Sequence, residues 1–365
     1  MGIGRWRGVV LYVHLSTALI AGAFIALLGI TGSLIAFEPQ LDRVSHPHLS
    51  YISPGKKTLM LQEIGDSVSR KFDGEPIVAY LLSESPDLSL EVVLPRGIVY
   101  VNPFTGEVVG VRTRGQTALG FARALHVRLG SGDMGRTIMK WSGPATLVSL
   151  ATGLYLWWPG KRFRIRSNWR SRGFWFDLHN STGVFFFLPL FVMAATGTVI
   201  GFEDQAAMLL NKVSRPVEVN RKVIARREAP PGEAVITPDQ AVAIALAEMP
   251  GTIVYRVQMP RYGGAYRVSL EYPPDRVTGG RNLIEIDQYS GTVISSTRSS
   301  ELSVGERILA TNESIHTGEI LGVPTRILMW LTSVVVPVQV ISGLLLWWRR
   351  RNIASTGNRT DTGAL

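Results

Sequence analysis

One stretch occurs twice and limits the fold more than anything else in the chain. HLSTALIAGAFIALLGITGSLIAFE runs from His14 to Glu38, and HNSTGVFFFLPLFVMAATGTVIGFE runs from His179 to Glu203. They align without a gap: His-x-Ser-Thr, an apolar run, Thr-Gly with the glycine eighteen residues after the histidine, then Phe-Glu. At about 1.5 Å per residue, each stretch covers roughly 36 Å, enough to cross a bilayer. A histidine inside a membrane is costly unless it has a partner. The same histidine in the same register twice therefore asks for a functional explanation.

Charge gives the direction of these helices. The net charge is +10, with 38 Lys and Arg against 28 acids. Twelve of the cations sit in three short segments beside apolar runs: Arg5 and Arg7; Lys161, Arg162, Arg164, Arg166, Arg170 and Arg172; and Arg349, Arg350, Arg351 and Arg359. That is the positive-inside pattern and places these segments in the cytoplasm. A nucleic-acid binder concentrates its charge on a folded domain instead, so nucleic acid is not an expected partner. Cysteine is absent, which excludes disulfides, thiolate metal sites and c-type haem attachment. Histidine, with six copies, is left as the only soft-metal ligand.

Taken in order, the chain divides into membrane helix 1 over 1–37, an external α+β domain over 38–118, and a histidine-bearing segment with helix 2 over 119–158. A basic cytoplasmic loop follows over 159–173 and helix 3 over 174–203. A second external α+β domain covers 204–310, a second histidine-bearing segment with helix 4 covers 311–348, and 349–365 is a cytoplasmic tail. The first helix is too long for a signal peptide and has no cleavage pattern after it. Trp157-Trp158-Pro159 and Trp347-Trp348-Arg349 mark interfacial helix ends. Within the external domains, 58–72 has helical spacing and Thr237-Pro238 opens a helix to about 248. Strands are expected over 76–82, 88–94, 97–101, 252–258, 265–272, 282–287 and 292–297. VNPFTGEVV (101–109) and IDQYSGTVI (286–294) match in type, with Gly106 and Gly291 in the turns.

The fold class is thus an α-helical membrane protein: a four-helix transmembrane bundle made of two tandem repeats, each with an inserted periplasmic α+β domain. His126 precedes Trp157 by the same interval as His316 precedes Trp347. Both halves run the same way, so the expected pseudo-twofold axis lies along the membrane normal. It relates His14 to His179 at the cytoplasmic side and His126 to His316 at the external side, giving one His–His pair at each face.

Zinc wants four ligands, and no carboxylate cluster accompanies these histidines. A haem iron wants two axial ligands, which two imidazoles satisfy, and a helix bundle suits the porphyrin's apolar faces. Two bis-histidine haems are therefore the expectation, one held by His14 with His179 and one by His126 with His316. Eighteen residues are five helical turns, so Gly32 shares a face with His14 and Gly197 with His179, about 27 Å away. There a small residue lets a flat group or another helix approach. The plainer reading of one histidine at a helix end is a hydrogen-bonded interface residue; four, paired by a repeat, favour ligation.

Other features carry less. Glu38 and Glu203 read as helix-end carboxylates or proton or substrate-metal contacts at the outer interface. His46 and His48 read as a surface loop or weak metal contact. Phe185, Phe186 and Phe187 read as lipid or core packing. GSGDMG (130–135) matches a dinucleotide fingerprint but follows no strand. With no nicotinamide or flavin motif, a quinol or a reductase protein is the expected electron donor.

With these motifs in place, the chain resembles the PepSY-associated transmembrane protein family over nearly its whole length. The resemblance rests on H-x-S-T…T-G-x-x-x-x-F-E, on Leu125-His126 and Ile315-His316, on the G-L-x-L-W-W ends (153–158 and 343–348), and on the glycine hairpins. It implies PepSY-like external domains, b-type haem on His14, His179, His126 and His316, and electron flow across a bacterial inner membrane. Similar members include ferric-siderophore reductases, so the implied acceptor is a periplasmic ferric chelate. A haem-free, membrane-anchored binding module acting on a periplasmic protein or peptide is the rival. A transporter is disfavoured by the scarcity of ionisable groups at mid-depth.

Overall fold

The computed structural model describes residues 3–83, 85–113, 117–160, 163–214, 235–260, 264–272 and 282–357. Lys161, Arg162 and Arg359 lie outside the described residues, as do parts of 38–118, 159–173, 204–310 and 349–365. The described helices are α1 (Ile3–Ile35), α2 (Glu38–Ser45), α3 (Pro47–Ser50), α4 (Leu61–Lys71), α5 (Ala118–Arg128), α6 (Gly132–Trp157), α7 (Arg172–Phe185), α8 (Phe187–Gly201), α9 (Glu203–Val213), α10 (Pro238–Glu248), α11 (Val304–Thr317) and α12 (Val323–Gly357). The strands are β1 (Ala79–Leu81), β2 (Leu90–Leu94), β3 (Gly97–Val101), β4 (Val108–Thr113), β5 (Ile253–Gln258), β6 (Ala265–Glu271), β7 (Asn282–Asp287) and β8 (Val293–Thr297). The chain forms two compact units. One is helical (Met1–Ala36, Phe121–Ala206, Asn312–Leu365) and the other is built on a sheet (Phe37–Gly120, Ala207–Thr311).

In the helical unit, α1 packs on α12 and α6, α6 on α8, and α7 on α12. Among the described residues, Gly4–Ile35 and Val323–Arg351 are each long and apolar enough to cross a membrane. The stretch 174–203, read as one helix, is two: α7 and α8 meet at a 67° bend and pass the same test together. Pro189 accounts for the break, because it has no N–H for the Phe185 carbonyl and its ring crowds that carbonyl. In the twin stretch the matching position is Phe24, and α1 runs unbroken for 33 residues. α1 and α12 come closest at Gly29, where an added Cβ would lie 2.7 Å from Val336 Cβ and 2.8 Å from the Ser333 carbonyl oxygen. That carbonyl is the one Pro337 leaves without an amide partner, so glycine and proline together set the contact.

The sheet unit holds one eight-stranded antiparallel sheet in the order β4-β3-β2-β1-β5-β6-β7-β8. The segments 38–118 and 204–310, read separately from sequence, join through β1 and β5, with Tyr80 opposite Val257. α4 and α10 cover one face over a core of Ile64, Val68, Val92, Val99, Val268, Leu270, Ile284 and Ile286. Thr237 caps α10 in a capping box with Gln240. Asp239 on α10 in turn caps α4, accepting from the amides of Leu61 (2.8 Å) and Gln62 (2.9 Å). Gly106 (φ +73°) and Gly291 (φ +69°) occupy the hairpin turns, where an L side chain is strained. Tyr80 and Tyr266 are fully buried at the centre. Burial raises both phenols, that of Tyr266 to about 12, with the Asp239 carboxylate adding to each.

Candidate functional site

Four histidines sit in four matching seats in the helical unit. His14 on α1 has Nδ1 3.1 Å from the Ser149 carbonyl and 3.0 Å from Thr152 Oγ1 on α6. His179 on α7 has Nδ1 3.1 Å from the Gln339 carbonyl and 3.0 Å from Ser342 Oγ on α12. His126 on α5 has Nδ1 3.0 Å from Thr31 Oγ1 on α1, with the Leu28 carbonyl alongside. His316 on α11 has Nδ1 3.0 Å from Thr196 Oγ1 and 3.2 Å from the Met193 carbonyl on α8.

These partners assign the tautomer. Each hydroxyl donates its own proton back into its helix: Thr152 to Val148 (2.7 Å), Ser342 to Val338 (2.6 Å), Thr31 to Leu27 (2.7 Å) and Thr196 to Val192 (2.7 Å). A carbonyl can only accept. Nδ1 must therefore be the donor at all four rings, which leaves Nε2 as a bare lone pair. A neutral imidazole whose other nitrogen donates to an oriented acceptor is the form that ligates metals.

A glycine completes each seat. An added Cβ would stand 3.3 Å from His14 Cε1 at Gly153, 3.3 Å from His179 Cε1 at Gly343, 3.2 Å from His126 Cε1 at Gly32 and 3.2 Å from His316 Cε1 at Gly197. The seat is thus a Ser/Thr-Gly doublet on the neighbouring helix: the hydroxyl fixes the ring and the missing side chain admits its edge. Gly32 and Gly197, expected to make room for a flat group, make room for an imidazole. The set recurs along the chain at unchanged spacing. His14, Thr31 and Gly32 return as His179, Thr196 and Gly197; His126, Thr152 and Gly153 return as His316, Ser342 and Gly343. Sequence reasoning missed the four hydroxyl residues, although the doublet occurs in both long stretches and before both Trp-Trp ends.

The seats bring the rings together. His14 and His179 have ring centroids 6.2 Å apart with planes at 77°. His126 lies within electrostatic reach of His316. All four rings are only half-buried. The buried residues of this unit are mainly small or hydroxyl-bearing, including Thr31, Ser142, Ala194, Thr196, Thr332, Ser333 and Ser342, where the sheet unit buries large aliphatics. The two halves differ at one support. The Gln339 side chain donates to the His179 carbonyl (3.1 Å) and to Thr182, whereas Ser149, its counterpart, has a buried hydroxyl with no partner.

The remaining candidates sit elsewhere. Glu38 and Glu203 open α2 and α9. Phe186 is the break between α7 and α8, and Phe185 and Phe187 flank it. GSGDMG runs from the turn before α6 into the first residues of that helix, with Gly130 and Gly132 at positive φ. Among the described residues, no three of His, Asp and Glu converge to hold a metal ion. No curated protein matches the chain. The family model of the PepSY-associated TM region matches residues 11–350, and the chain is a membrane protein belonging to that family.

Proposed function

We propose that the chain is a di-haem b protein of the bacterial inner membrane that carries electrons from a cytoplasmic-side donor to a periplasmic ferric chelate. In this reading its helices form a four-helix bundle of two tandem repeats, with both termini cytoplasmic and the sheet unit periplasmic. His14 and His179 would hold one haem, and His126 and His316 the other. The observation that carries the proposal is the set of four seated imidazoles, all in the Nδ1–H tautomer. The donor set fits: two nitrogens about 2 Å from one metal ion, with about 1 Å more from each to its ring centre, put the centroids roughly 6 Å apart. His14 and His179 stand at 6.2 Å.

Bound haem would supply one-electron carriage between the two faces. The chain's own groups do the rest. Thr152, Ser342, Thr31 and Thr196 hold each Nδ1–H, keep Nε2 free and raise its basicity. The buried residues around the seats are mainly small or hydroxyl-bearing. Arg7 donates to the Leu156 carbonyl (3.0 Å) and Arg349 to the Arg170 carbonyl (2.8 Å), which ties cations to the helix ends that positive-inside orientation puts in the cytoplasm. A ferric chelate suits the role because reduction to Fe(II) loosens the hold of hard oxygen ligands.

Visible spectroscopy of the full chain from haem-replete cells tests the proposal. A Soret band and a reduced α band are expected, with about half of each lost in His14→Ala and the remainder kept. Absence of both bands from folded protein refutes it and favours the binding module.

A further inference from the structure

The sheet unit carries a third pair of histidines, which the proposed electron path does not use. His46 and His48 have ring centroids 6.4 Å apart, close to the separation of His14 and His179. From this pair we infer that His46 and His48 form a site for a first-row divalent metal ion, bound through two imidazoles with the other positions left to water or to a chelator's oxygens.

The pair is mounted on a stiff support. His46 caps the end of α2 and precedes Pro47, which fixes the first turn of α3. Leu49 and Ser50, just beyond, are buried. Leu49 packs so closely against Gly110 of β4 that a Cβ there would run into its side chain. Ser89 on the strand side bonds the Leu49 carbonyl (2.7 Å) and the Ser50 carbonyl (2.9 Å). The backbone of the pair is therefore anchored from both directions.

A carboxylate stands within ion-pair range of one of the pair's rings. His46 Nδ1 lies 3.6 Å from Asp42 Oδ1, and both are buried atoms with no hydrogen-bond partner. Asp42 is held on its other oxygen by Arg112 and by the Tyr100 hydroxyl at 3.4 Å. Arg112 offsets the charge of Asp42, which suits a supporting carboxylate better than a ligand. A carboxylate behind one imidazole nitrogen is the arrangement that turns the other nitrogen toward a metal. His48 is exposed, so its ring is open to an ion from solution. Imidazoles on opposite sides of an octahedral ion have centroids about 6 Å apart, against about 4.5 Å for adjacent positions. The observed separation of His46 and His48 stands near the first arrangement, which leaves a whole plane of coordination open. Two protein ligands make a weak site, suited to an ion in transfer rather than one kept for structure.

This inference does not rest on the haem reading, and its test separates the two. Untagged full-length protein is titrated with Ni²⁺ by calorimetry and with Cu²⁺ under electron paramagnetic resonance. The expected result is one site with two-nitrogen coupling, lost in His48→Ala and in His46→Ala. Asp42→Asn should retain the site with about 10- to 100-fold weaker binding. The inference is overturned if both histidine variants, folded by their melting curves, titrate as the parent does. It is equally overturned if the Cu²⁺ signal disappears in His14→Ala instead.

Discussion

Replacing Thr196 by valine removes one hydrogen bond from the seat of His316, together with the hydroxyl's own bond back to the Val192 carbonyl (2.7 Å). Valine keeps the branched shape and the preferred rotamer. The lost contact is the 3.0 Å bond between Thr196 Oγ1 and His316 Nδ1; the Met193 carbonyl at 3.2 Å remains. One neutral hydrogen bond contributes about 0.5–1.5 kcal/mol, and outer-shell partners of metal ligands cost about 10- to 100-fold in affinity when removed. With one acceptor left, the lower end applies: under the proposed di-haem reading, haem affinity at the His126–His316 pair should fall about tenfold, or about 1.4 kcal/mol. Titrating haem into apo protein and following the Soret band reads this directly. Thr31→Val acts on the other ligand of the same pair, so the double variant should approach a hundredfold loss. Thr152→Val, in the seat of His14, should leave this haem alone and weaken the other. The reasoning is wrong if Thr196→Val, correctly folded, binds both haems as tightly as the parent, or if it weakens the His14–His179 site instead.

Three further outcomes follow from the packing and the charges. Gly29→Ala puts a Cβ 2.7 Å from Val336 Cβ; the overpacking should cost about 1–3 kcal/mol, read as a lower unfolding midpoint in mixed micelles. Asp239→Ala strips the cap from α4 and should cost about 1–2 kcal/mol of stability in the sheet unit, seen in its melting transition, while Ala substitutions at exposed positions of α4 stay near neutral. Tyr80 and Tyr266 are acids whose protonated forms burial favours. Their stabilising effect is therefore complete below the unfolded phenol value of about 10 and declines as pH rises through the folded value, about 12 for Tyr266. Chemical denaturation from pH 8 to 12 should show a fall confined to the alkaline end, and Tyr266→Phe should reduce its slope.

What the sequence discloses depends on how local each cause is. Gly106 and Gly291 sit in turns that need positive φ, a property of single residues, and their placement is readable from short segments. His14 and His179 are readable because each opens a long apolar run, and His126 and His316 because each stands at the same interval before a Trp-Trp end. Their seats are not, because every ring is held by a different helix: spacing along α1 puts Gly32 on the face of His14, yet says nothing of His126 arriving against it. The break at Phe186 has its local sign in Pro189, while the length of the stretch and its alignment with 14–38 predict one continuous helix. The joining of β1 to β5 has no local trace, since Tyr80 and its partner Val257 stand in opposite halves of the chain.

That joining sets the order in which the molecule is made. When the first half of the sheet leaves the ribosome, β1 has an unpaired edge and the first amides of α4 lack their acceptor. Both wait for β5 and Asp239, which come after α6, α7 and α8. Pairing at such separation is slow, and an open edge invites the wrong partner. A chain truncated before Asp239 should accordingly aggregate through β1 rather than persist as half a protein.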